Sequence, residues 1–203
     1  MSRRLAAVSR IGLVTLLALV TAGAGFSYHF FLHYAGRTAP FTPIPEKFDL
    51  TALADKTLQY HISDVRPEPM AGGDSFAAVV SQIRAAAKVW NDVETSDLRL
   101  AFGGLMTPGT EQSRPSLEIS FEEVPPGIIA MGGPVSRAQA TPGPASFVPI
   151  TKAVVIFRKD MSQRASSSDG FFFTAVHEIG HALGLQHSMA SGAMSTDPTR
   201  ATT

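Results

Sequence analysis

The stretch HEIGHALGLQH, from His177 to His187, constrains this chain more than any other. On a helix, His177 and His181 stand at i, i+4, one turn apart on the same face. Two neutral imidazoles at that separation can share one metal ion, with N–metal distances of roughly 2.0–2.1 Å for zinc. Glu178 projects beside the pair, near the ion but off it. There it can accept a proton from a metal-activated water and later deliver it to a leaving amine. A helix continued to His187 would carry that residue about 9 Å along the axis from His181, at about 1.5 Å per residue. Gly184 can adopt a positive φ and turn the chain back, which makes His187 a third ligand. Three protein ligands leave a fourth position open, as in a catalytic zinc site rather than a closed structural one. Two blander readings are three ordinary histidines, and zinc binding without catalysis. Glu178 is not needed to hold the metal, and its presence weighs against the second.

Composition narrows the metal chemistry. The 203 residues contain no cysteine, so any metal must be held by imidazole and carboxylate, and there are no disulfides. Lys+Arg and Asp+Glu both number 17, which gives no reason to expect a nucleic-acid partner. Hydrophobic residues at 44% are enough for a packed core.

The N-terminus reads as an export signal. MSRRLAAVSR carries three arginines and no acid, and Ile11 to Gly36 has no charged side chain. Ala22-Gly23-Ala24 offers a cleavage site, but the apolar run continues past it through Phe26, Tyr28, Phe30 and Leu32. Residues 1–36 are therefore expected to be a cleaved signal or an uncleaved membrane anchor, and the protein secreted or tethered. His29 and His33 in this stretch read as bystanders. Residues 37–56, with Pro40, Pro43 and Pro45, read as a linker. A folded unit is expected over 57–203.

Within that unit, TLQYHISD (57–64) suggests a strand, with His61 an ordinary strand residue. Asp74 or Ser75 can cap a helix over Phe76 to Asn91, whose apolar positions recur at helical spacing up to the single tryptophan, Trp90. Leu98, Leu100 and Phe102 alternate with other residues, as do Leu117, Ile119 and Phe121, giving two more strands with Glu122 and Glu123 as a solvated face. PPGIIAMGGP suits a sheet edge, and AVVIF (153–157) a central strand. Ser168 or Asp169 can cap a last helix with the stripe Phe172, Val176, Ile179 and Leu183. The expected architecture is α/β (α+β): one mixed twisted sheet of about five strands carrying two packed helices.

HEIGHALGLQHS resembles the metzincin metalloproteases, and most closely their matrixin-like branch. KVWNDV resembles the end of the first matrixin helix, GIIAMGGP the edge strand that pairs with extended substrate, and GAMS the Met-turn beneath the zinc. The resemblance implies a zinc-dependent endopeptidase acting on protein or peptide substrates. By position, it makes His177, His181 and His187 the ligands of one catalytic zinc, Glu178 the general base and Met194 the floor of the site. It makes Ile129 and Ala130 backbone contacts to substrate. There are departures from the family pattern. Met131 stands where matrixins place a histidine for a structural zinc, so no structural zinc is expected. Asp-rich loops that would hold calcium are not apparent. Ser195 replaces the tyrosine that follows the Met-turn methionine in some metzincins. TDPTRATT, after the Met-turn, is short and polar where a further helix is expected, which leaves open a truncated chain or a different closure. The alternative function is a non-catalytic zinc-binding or membrane-tethered interaction domain.

Overall fold

In a computed structural model the described residues are 29–34, 38–112, 115–144, 146–188 and 192–195. The part of the expected signal or anchor up to residue 28, with its candidate cleavage site, and the residues after Ser195 lie outside them. The order is β1 (Leu32–Tyr34), β2 (Pro43–Lys47), β3 (Thr57–Ser63), α1 (Phe76–Asn91), β4 (Arg99–Met106), β5 (Ser116–Glu122), β6 (Ala130–Arg137), β7 (Val148–Arg158) and α2 (Asp169–Ala182). Two short 3-10 turns separate β2 from β3.

The sheet runs β1-β2-β7-β5-β3-β4, and β6 pairs with β7 opposite β5, beyond the short β2 contact. Strands β4, β3, β5 and β7 are parallel neighbours, and β6 lies antiparallel to β7. Parallel neighbours need long crossovers, and α1 supplies the one between β3 and β4. The helices pack on each other, α1 also against β4 and α2 against β6 and β7. Leu58, Ile62, Val79, Ile83, Leu117, Ile119, Val155, Val176 and Ile179 lie fully buried between the layers.

Both helix starts are capped as the sequence allows. The Ser75 hydroxyl accepts from the Ala78 N–H and that of Ser168 from the Phe171 N–H. Asp74, freed from capping, instead receives the N–H and hydroxyl of Ser166 at 2.7 Å each, joining the start of α1 to the loop before α2. The apolar stripe of α2 is rotated from the expected one: Phe171, rather than Phe172, is buried with Val176 and Ile179.

The sheet exceeds the expected five strands because the proline-rich segment read as a linker contributes β2, and the end of the segment read as a signal or anchor contributes β1. Pro43 and Pro45 occupy alternate positions of β2, so the lost N–H groups fall on one side and Glu46 still donates to the Phe31 carbonyl at 2.8 Å. Glu46 is only 3% exposed, and its carboxylate meets Arg137 Nε on β6 at 2.6 Å. A buried carboxylate needs such a partner, so this segment is built into the sheet.

Candidate metal centre and cleft

Helix α2 carries His177, Glu178 and His181, and ends where Gly184 takes φ +97°. A side chain there would also meet the Glu46 carbonyl, 2.6 Å from an added Cβ. The turn brings His187 back, and its Nε2 lies 3.1 Å from the Nε2 of both His177 and His181. The three form the one His/Cys/Asp/Glu group among the described residues close enough to share a metal ion.

Backbone carbonyls orient two of the rings. His177 Nδ1–H donates to the Ala193 carbonyl at 2.7 Å and His181 Nδ1–H to the Leu185 carbonyl at 2.8 Å. With those protons committed, both Nε2 atoms present lone pairs to the centre. His187 Nε2 carries at most one proton, so at least one of its two contacts would set lone pair against lone pair. A cation among the three removes that conflict. Tetrahedral zinc with roughly 2.0–2.1 Å bonds would hold its nitrogens about 3.3 Å apart, so the residues fit zinc. Burial and the neighbouring imidazoles push the His181 pKa down to about 4, though its bond to Leu185 opposes this. Burial and His177 also lower that of His187. Neutral rings at neutral pH are the form that ligates metal.

Glu178 meets Gly132 of β6 and shares a cleft wall with His177. Burial raises its pKa to about 7, opposed by a hydrogen bond from the Gly132 N–H. Helix and strand touch here because Gly132 has no side chain, since a Cβ would overlap the Glu178 carbonyl oxygen. A cleft of about 510 Å³ opens beside His177 and Glu178, lined among others by Ile129, Ala130, Phe173 and Val176.

Met194 is fully buried below the helix, where its Sδ fills the space a side chain on Gly180 would take. The Ser188 N–H donates to its carbonyl at 2.7 Å, closing the loop after His187. Ile129 and Ala130 both line the cleft but differ in orientation. The Ile129 carbonyl accepts from the Arg158 N–H at 2.8 Å and so faces β7. The alternation of an antiparallel strand then turns the Ala130 backbone to the open edge. Sequence reasoning missed Ala193 and Leu185, which act through main-chain carbonyls and leave no side-chain signal. It also missed the segment around Phe31, whose ring meets that of His181 edge-on with centroids 5.9 Å apart.

Comparison with curated proteins gives no match. The matrixin family matches residues 52–200, spanning both helices, the edge strand and all three histidines. The chain belongs to the matrixin family, and with it to the zinc metallopeptidases.

Proposed function

We propose that the chain is an exported zinc-dependent endopeptidase. The observation that carries this is the convergence of three imidazole Nε2 atoms beside a half-buried glutamate in an open cleft. Zinc held by His177, His181 and His187 supplies the Lewis acidity that activates water and polarises the scissile carbonyl. Glu178 takes the proton of the attacking water and passes it to the leaving amine. The open edge of β6 at Ala130 pairs with the extended substrate through main-chain hydrogen bonds, and Ile129 contributes its side chain to the wall. Met194 supports the helix from below. Export rests on the basic, then apolar, N-terminal stretch.

The test is metal analysis and peptide-library cleavage on the wild type and Glu178→Ala. We expect stoichiometric zinc in both, and cleavage reduced about 10²–10⁴-fold in the variant. Absence of stoichiometric zinc, or cleavage unchanged in Glu178→Ala, would overturn the proposal. Zinc without cleavage in the wild type would identify a non-catalytic zinc-binding domain instead.

A further inference from the structure

His187 is the exposed member of the ligand set and sits on a loop rather than a helix. Its position depends on what holds the residues either side. On the C-terminal side the Ser188 N–H is bound to the Met194 carbonyl. On the N-terminal side the Gln186 N–H donates at 2.6 Å to the carbonyl of His29, more than a hundred residues earlier in the chain. Phe31 adds to this contact. Its N–H donates to the Gly184 carbonyl at 2.8 Å, and Phe30 forms an antiparallel bridge with Leu185.

The segment is fastened at its other edge as well. The Phe31 carbonyl accepts from the Glu46 N–H, and Glu46 is paired with Arg137 of β6. The Phe31 ring fills the space between His181 and Gly133, 4.0 Å from where a Cβ on that glycine would lie. His29 and Phe30 are themselves exposed, so burying their side chains does not explain the arrangement. His29, Phe30, Phe31 and Glu46 all precede the family match, which begins at residue 52.

We propose that His29–Phe31 is a positioning strap for the third metal ligand. It restrains Gly184–Gln186 by main-chain bonds and braces His181 by its ring. A ligand held in place before the metal arrives loses less conformational freedom on binding. The strap therefore acts on metal affinity, through His187 by its main-chain bonds and through His181 by its ring. This inference rests on the metal site of the proposed function and is independent of whether the enzyme cleaves peptides.

The test is zinc affinity of the full chain by competition with a chromogenic chelator, together with the visible spectrum of the cobalt(II)-substituted protein. Phe31→Pro removes the N–H to Gly184, Phe31→Ala removes the ring, and Phe31→Leu keeps an apolar filler. We expect the first two to weaken zinc about tenfold to a hundredfold and to alter the cobalt spectrum, with Phe31→Leu restoring most of both. In a His187→Ala background Phe31→Pro should weaken zinc no more than Phe31→Ala does, because the main-chain bond that only proline removes acts through His187. Wild-type affinity and spectrum in Phe31→Pro and Phe31→Ala would overturn the strap. So would a loss in Phe31→Pro beyond that of Phe31→Ala with His187 already removed, which would mark a general structural role. Zinc binding without proteolysis would defeat the endopeptidase reading and leave the strap standing.

Discussion

The indole Nε1–H of Trp90, at the end of α1, donates to the main-chain carbonyl of Val176 across 3.0 Å. Val176 immediately precedes His177, so this bond ties one helix to the other where the histidine cluster begins. Trp90→Phe keeps most of the ring and removes the donor. A net loss of about 0.5–1.5 kcal/mol is expected. That lowers the thermal midpoint by a few degrees, measurable by circular dichroism. An unchanged midpoint would show that the bond contributes nothing.

Gly180 lies between the two histidines of the helix, against the rings and sulfur below. A Cβ there would overlap Met194 Sδ and come within 2.6 Å of Trp90 Cζ2. Alanine would favour the helix by about 1 kcal/mol, but Met194 is fully enclosed and cannot swing aside. Overpacking of about 1–3 kcal/mol should win, giving net destabilisation. Chemical denaturation of Gly180→Ala decides the sign, and a stabilised variant would contradict the packing argument.

Gly184→Ala faces two obstacles at once, a φ of +97° and the Glu46 carbonyl 2.6 Å from the new Cβ. The turn that returns His187 should open. We expect zinc affinity to fall by more than in Gly180→Ala, because the latter leaves the turn intact. Calorimetric zinc titration of both variants checks the order, and the reverse order would show that the turn is not what places His187.

Asp74 supplies an acid-dependent contribution to stability. Burial raises its pKa, but hydrogen bonds from the Ser166 hydroxyl and N–H and the Ser75 N–H outweigh that and hold it below the ordinary 3.8. A folded-state pKa below the unfolded one stabilises above the unfolded value, and the benefit is lost as pH falls through the folded value. Asp74→Asn cannot accept both Ser166 donors and should cost about 1–3 kcal/mol near neutral pH. The gap between wild type and variant should be flat above about pH 5 and close below about pH 4. A gap independent of pH down to pH 2 would exclude the ionised carboxylate as its source.

The convergence of His177, His181 and His187 was legible because helical periodicity converts sequence spacing directly into geometry, and Gly184 marks where that periodicity must end. The core strands were legible for the same reason, from the alternation at Leu117, Ile119 and Phe121. Pairings set by distant backbone were not. Ala193 and Leu185 orient the rings through carbonyls that every residue possesses. Pro43 and Pro45 read as a linker, since proline opposes sheet in general; only their alternate placement, with Glu46 free to donate, admits a strand. Glu46 itself gave no sign of burial, because its partner Arg137 lies ninety-one positions away in sequence.

The main-chain bond between Phe31 and Gly184 joins nearly the two ends of the described chain. Synthesis delivers Phe31 before the strands of the main sheet and the three histidines after them. A chain that stops short of His187 cannot bring the three imidazoles together, however much of the sheet has already formed. Convergence of the histidines thus reports that every strand between Phe31 and Gly184 has been made and placed.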